Sequence, residues 1–589
     1  MSGLTAVNAY HQLIAFGLEE LEERIAPAGA VTVAVHGGNL VITGDNLGNQ
    51  ILIDQDGLDA GQVRISSLSL WGDSSDVTAI NGSDVPIVIS GVTGGIVANL
   101  RDGNDVLGVG YMDITSGDVA AGSRTVISGD LSVNMGNGDD WLLVLPGIDV
   151  LGNLSMSLGG GWDLVLLLGD DTVHGNFTVK GADGNDAVSC LNDINDPPLE
   201  GITVHGSTVI ADTGGDTDIF LDGTFFGAVT VKTGGFTPWD HSVANPPGQE
   251  LSLEGLFHQN VTVTRGGGSN ETDIDKAVFE GNVSIRDGSG PHSYSILESS
   301  VRGNLSIRAG AGYGELALNA PWWASDEEAT APFDVAGSFS YITGGGEQTV
   351  QIANGAIHGS CLIGLADGCS SVTISDVAVG AHGVVDNDGI AGMGDLVVRL
   401  GAGASGDDVT LTGVDVAGSA VLNSGYSYLS CAISHFNVGG SFGARMGDRG
   451  VELSIDHAAI GGPTSISSGA GEDVVSIDNT EFANGVSINT GRGDDEIWIQ
   501  SGADKDLSAP SVFHGPLTIA AGAGCDIISI GGAYGISSRP DVDPGPFRYV
   551  EVFGPVTVLG GLGSDQLRMV GVRNVFHDAF HLSGIETIS

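Results

Sequence analysis

The chain has 589 residues, 96 of them glycine, and carries 73 Asp and Glu against 20 Lys and Arg, a formal charge of −53. That charge repels phosphate backbones and anionic lipid, which sets nucleic acid and membrane surfaces aside as partners. Glycine without a Gly-X-Y period excludes collagen, and 41% hydrophobic residues are too many for a disordered chain.

Residues 1–29 form the first segment, an N-terminal tag or cap helix. The stretch lacks the basic start and long apolar run of a standard signal peptide. Its "LEELEERIAPA" (18–28) resembles an N-terminal tag of large exported bacterial proteins, in which a Leu-Glu-x-Arg core precedes a Pro-Ala segment and a β-rich body. The resemblance implies an extracellular or cell-surface location. No run of 18 apolar residues follows, so no membrane-inserted helix is expected.

From residue 30 onward the chain repeats a phrase, Gly-[Asn/Ser/Pro]-aliphatic-[Ser/Thr]-aliphatic. It reads "GNLSM" at 152, "GNFTV" at 175, "GNVSI" at 281, "GNLSI" at 303, "GSFGA" at 440, "GPTSI" at 462, "GPLTI" at 515 and "GPVTV" at 554. Near neighbours lie 22 or 23 residues apart, and each unit reads as two short alternating strands separated by a Gly-rich turn. Two such strands cannot bury their apolar side alone, so stacking of identical units is the economical fold. The expectation is an all-β, right-handed parallel β-helix over 30–589, about 22 residues per coil, with a C-terminal cap. Insertions at 191–200, 236–250, 321–334 and 534–549 leave the stack as loops. The cysteines Cys190, Cys361, Cys369, Cys431 and Cys525 are odd in number and lack CxxC spacing, so they read as buried small residues.

The turn between the two strands repeats as Gly-x-Gly-x-Asp. It is formed by Gly136, Gly138 and Asp140; Gly159, Gly161 and Asp163; Gly184 and Asp186; Gly469, Gly471 and Asp473; Gly491, Gly493 and Asp495; Gly522, Gly524 and Asp526; and Gly561, Gly563 and Asp565. A looser copy has Gly103 and Asp105, and a displaced one Asp216 and Asp218. These turns resemble the repeats of hemolysin-type (RTX) calcium-binding proteins, and the resemblance implies Ca²⁺ held by glycine carbonyls and Asp carboxylates of neighbouring turns. The family motif recurs every nine residues, whereas here it recurs about every 22. The competing expectation is a hydrogen-bonded Asp ladder capping backbone N–H groups.

Five residues after the unit glycine stand Lys180, Lys232, Arg286 and Arg308. They read either as a stripe for an acidic glycan or as charge balance with stems covering apolar strand surface. Two insertions combine aromatic and acidic residues, Trp322, Trp323, Asp326, Glu327 and Glu328 in one and Trp239, Asp240 and His241 in the other. His577 and His581 lack the Glu of a metalloprotease helix. The expected function is therefore a secreted or cell-surface structural or adhesive protein, calcium-stabilised, with an extracellular glycan or surface component as partner and no catalytic residue. The alternative is a polysaccharide lyase or hydrolase, an architectural analogy alone.

Overall fold

The computed structural model describes residues 29–68, 77–111, 124–191, 201–235, 248–320, 331–380, 394–403, 406–500, 509–531, 549–569 and 574–589. The tag at 18–28, the tryptophan-bearing stretches with Trp239, Asp240, His241, Trp322, Trp323, Asp326, Glu327 and Glu328, and most of the 191–200 and 534–549 insertions lie outside them.

Every regular element among the described residues is a β-strand. The local cause is visible in "VSIN" (Val486–Asn489), where β-branched residues alternate with polar ones and Val486 and Ile488 are buried while Ser487 and Asn489 face out. Glycine at both ends of such runs denies a helix its propagation. The chain falls into two compact units, residues 29–273 with Ala277–Gly281, and Ile274–Lys276 with Asn282–Ser589.

The first unit opens with antiparallel strands. Ala30–His36 pairs antiparallel with Asn39–Thr43, and Gln62–Ser67 lies antiparallel to both Gln50–Asp54 and Ile87–Ser90. From Ile96 onward its pairing is parallel and keeps one register. Leu131 pairs with Leu154, Leu154 with Phe177, Phe177 with Thr208, and Thr208 with Val229.

In the second unit the same parallel ladder runs from Val283 to the final strands. Ala420 pairs with Phe442, Phe442 with Thr464, and Thr464 with Val486, each step spanning 22 residues. Steps that carry an extra segment return to the same register: Val486 pairs with Leu517 and Leu517 with Val556.

Several repeats contain three strands where the sequence pattern suggests two, and in others, such as the one holding Leu429–Val438, the second and third are continuous. Thr464–Ser467 and Asp473–Asp478 are followed by the two-residue strand Glu481–Phe482. One residue turns left-handed between the second and third strands at Asn479 and Gln500, with φ of 48° and 54°, and at Gly413 and Gly531; His435 and His457, with φ of 51° and 52°, turn the same way within one continuous strand. Asn suits this conformation, and the Asn479 side chain also donates to Asp456 at 2.8 Å.

The three strands direct their apolar residues inward. In one repeat Val486, Ile488, Ile497, Ile499 and Phe513 are buried, each contributing about 1.5–3 kcal/mol by leaving water. Phe225, Phe257 and Phe279 stack in the interior of the first unit with ring centroids 5.0 and 4.8 Å apart, and Phe482 and Phe513 do so in the second at 4.9 Å. Cys190, Cys361 and Cys431 are buried as the sequence suggests, but Cys369 is half-buried and Cys525 exposed.

Candidate functional site

The glycines of the Gly-x-Gly-x-Asp turns stand in register, Gly136 with Gly159, Gly159 with Gly181, Gly161 with Gly184, Gly522 with Gly561, and Gly524 with Gly563. Two causes fix glycine here. Gly161 and Gly493 have φ of 139° and 134°, and a side chain on either would run into the carbonyl oxygen of Gly138 or Gly471 one repeat earlier.

The Asp that closes each turn points inward, under the corner. Asp105, Asp140, Asp163 and Asp186 are at most 3% exposed, and Asp473, Asp495, Asp526 and Asp565 at most 1%. Their carboxylates reach the backbone of the preceding repeat. Asp140 Oδ1 accepts the Asp105 N–H at 2.8 Å, and Asp163 Oδ1 the Asp140 N–H at 3.0 Å. In the second unit Asp495 Oδ1 accepts from Asp473, Asp526 Oδ1 from Asp495 and Asp565 Oδ1 from Asp526, at 3.0, 3.0 and 3.1 Å. The looser copy joins the ladder, since Asp105 Oδ1 caps Asn49 at 2.6 Å. The sequence missed one member, Asp407, whose Oδ1 caps Ser370 at 3.0 Å. The displaced copy resolves differently from its reading, because Asp186 pairs with Thr217, so neither Asp216 nor Asp218 occupies the ladder position.

A second, outer ladder runs the other way. Asn104 Oδ1 accepts the Asp139 N–H, Asp139 Oδ1 the Trp162 N–H, and Asp494 Oδ1 the Cys525 N–H, at 3.1, 2.9 and 2.7 Å. A third explains the Asn and Ser of the unit phrase. Asn153 Oδ1 caps Asn176, Asn176 Oδ1 caps Ser207, Asn282 Oδ1 caps Asn304, and Asn304 Oδ1 caps Ser338, all at 2.8–2.9 Å. Proline, with no N–H to cap, fills the same position at Pro463, Pro516 and Pro555.

The inner carboxylates are left half-used. The second oxygens of Asp105, Asp140, Asp163, Asp495, Asp526 and Asp565, and both oxygens of Asp186 and Asp473, are buried without a hydrogen-bond partner. Burial pushes Asp140 and Asp186 up to about 8, Asp105 to about 7, and Asp163, Asp473, Asp495 and Asp526 to about 6. Neighbouring ladder carboxylates add to the rise at Asp140 and Asp186. Ca²⁺ takes six to eight oxygens. Among the described residues no three Asp, Glu, His or Cys side chains gather as a metal group. A proton on the unpartnered oxygen fits this donor set.

The basic residues do form columns. Lys180, Ala211 and Lys232 are successive rungs in the first unit, and Arg286 and Arg308 in the second. His577 turns to Glu551 at 3.0 Å and stacks on Phe553 at 4.4 Å, apart from any acid trio.

A shallow groove of about 700 Å³ in the second unit runs over Ala417, Gly439, Gly461 and Ala483, with Asp415 and Glu481 beside it. Asp415, Asn437, Ala459 and Glu481 are consecutive rungs. The two acids therefore stand about 14 Å apart at strand spacing, beyond the roughly 5–9.5 Å of a glycosidase pair. Comparison with protein-family models, curated proteins and solved structures returns no match for this chain.

Proposed function

We propose that the chain is a secreted or cell-surface structural and adhesive protein, built as a right-handed parallel β-helix of about 22 residues per coil. The parallel pairing at 22-residue steps supports the coil, and parallel crossovers are right-handed in almost all proteins. The observation that carries the function is the use made of the acids. Most of the inner ladder gives one carboxylate oxygen to a backbone N–H of the adjacent repeat, so these residues hold the stack together. The acidic outer surface keeps such a body soluble.

Calorimetry in EDTA, in Ca²⁺ and in NaCl of matched ionic strength tests the ladder. Equal melting temperatures in Ca²⁺ and NaCl are expected. A further rise specific to Ca²⁺ replaces the proton with calcium as the partner of the second oxygens. Fractionation of the source cells tests location, and recovery of the protein from the cytosol overturns it.

A further inference from the structure

We propose that the second unit carries a binding stripe for an acidic polysaccharide, built from Arg286, Arg308, Arg399 and Arg445. The inference rests on the cell-surface reading and names its partner.

The four arginines occupy one rung position. Arg286 pairs with Arg308, Arg308 with Ile342, Ile342 with Gly364, Gly364 with Arg399, Arg399 with Asn423, and Asn423 with Arg445. Each ends the first strand of its repeat, and each is exposed, next to a buried Ile285, Ile307, Val398 or Ala444. The stripe therefore crosses six strand spacings, about 29 Å.

Nothing among the described residues occupies these guanidinium groups; none makes a side-chain hydrogen bond or ion pair. Of the other described bases, Arg64 pairs with Asp54 at 3.1 Å, Arg124 with Asp149 at 3.8 Å and Lys276 with Asp275 at 3.1 Å, while Arg101, Lys180, Lys232 and Arg492 make no ion pair. Charge balance predicts pairing in a chain with 73 acids. The column does the opposite and sets Arg286 directly beside Arg308, a like-charge contact that costs stability in a sheet. An external anion removes that cost.

The chemistry of the stripe selects the anion. Arg presents a planar fork that matches carboxylate and sulfate oxygens. Its rungs are separated by one, three and two strand spacings, with Ile342, Gly364 and Asn423 between, so the charge is sparse. Ser284, Ser306 and Ser340 lie two residues before the first three rungs, and Ser306 and Ser340 hydroxyls are 3.2 Å apart, a row that can hydrogen-bond sugar hydroxyls. A densely charged nucleic acid meets repulsion from the rest of a −53 chain. A polyuronate with carboxylates spaced among neutral hydroxyls engages the stripe while salt screens charges beyond about 8 Å.

The test is binding of the full chain to polygalacturonate in EDTA, which removes calcium bridging between two acidic partners. Binding that weakens with salt is expected, and fully methyl-esterified polymer should not bind. Replacing all four arginines with Gln should weaken binding about tenfold or more, with a melting temperature that does not fall. The double variants R286Q/R308Q and R101Q/R492Q change the net charge equally, and only the first should lose affinity. Equal loss in both, equal affinity for the methyl-esterified polymer, equal or tighter binding of polydeoxythymidylate or anionic vesicles, or no binding of polygalacturonate overturns the proposal. Each of those results leaves the surface location to be decided by fractionation.

Discussion

Two stretches of the second unit solve the same problem differently. At one corner position the backbone N–H of Asp473, Asp495 and Asp526 is given to a carboxylate of the next repeat. At the same position the N–H of His292, Gly314, Gln348 and Leu429 goes to a main-chain carbonyl of the next repeat, at 3.0, 2.9, 2.9 and 3.3 Å. The choice follows the next rung at Ser370 and Asp407, though not at Val451, because both oxygens of the next Asp473 are unpartnered. Ser370 is followed by Asp407 and uses its carboxylate, whereas Asp407 is followed by Leu429 and uses the Tyr428 carbonyl at 2.8 Å. Glycine makes the corner in both stretches, and the acid is one of two ways to satisfy a donor that burial forbids leaving open.

The largest effect should come from breaking what both stretches share. Gly161→Val or Gly493→Val places a side chain against backbone at positive φ, and a loss of more than about 3 kcal/mol is expected in denaturant unfolding. Gly443→Ala, with nothing within 4 Å of the added carbon, should stay within about 0.5 kcal/mol.

Exchanging the two solutions comes next. Asp495→Leu strips the Asp473 N–H of its acceptor and should cost about 1–3 kcal/mol. Val451→Asp should cost a similar amount near pH 8, because the Leu429 N–H is already bonded to Gly450 and the new carboxylate is buried without a donor.

Acid should sharpen the contrast. Burial raises Asp140, Asp163, Asp186, Asp473, Asp495 and Asp526 above the ordinary 3.8, to about 6–8. The folded state then binds more protons than the unfolded one, so stability falls as pH rises from about 4 to 8. The melting temperature should be a few degrees higher at pH 5 than at pH 8. Asp495→Asn, which keeps the acceptor and removes one of these charges, should make that profile less steep. A melting temperature that rises from pH 5 to pH 8 argues against buried, proton-holding carboxylates.

The smallest change concerns the third ladder, at the Asn, Ser or Pro of the unit phrase. Pro516→Ala restores an N–H and a freer unfolded chain, and a loss of about 0.5 kcal/mol is expected.

The 22-residue step was legible because Asp473 and Asp495 recur with their glycines, and the structure sets both in one column. The third strand was not, since Glu481–Phe482 is two residues long and shows no period. The inward aim of the acids also escaped the sequence, because a Gly-rich turn is read as a surface feature until its next strand shows which face is buried. Asp407 was hidden by spacing, since it stands four residues after Gly403 and not two. Arg445 stands five residues after Gly440, inside a phrase already recognised, while Arg399 follows Gly394-Asp395, whose Asp plays the part of the usual Asn or Ser by capping Ser419 at 2.7 Å. The interior stack of Phe225, Phe257 and Phe279 is separated by unequal intervals and becomes visible only once insertions are placed outside the register.

The uniform step also bears on how the chain folds. Within the second unit a strand's ladder partners are mostly 22–39 residues away, a small fraction of a 589-residue sequence. Loop closure then costs nearly the same for every rung, since its entropy grows only with the logarithm of loop length. Low relative contact order of this kind favours rapid folding for a β-protein, and growth proceeds by adding one repeat to a formed neighbour. Extra segments lengthen individual closures without creating distant ones, so a chain assembled this way can gain or lose them while its nucleus and direction of growth stay the same.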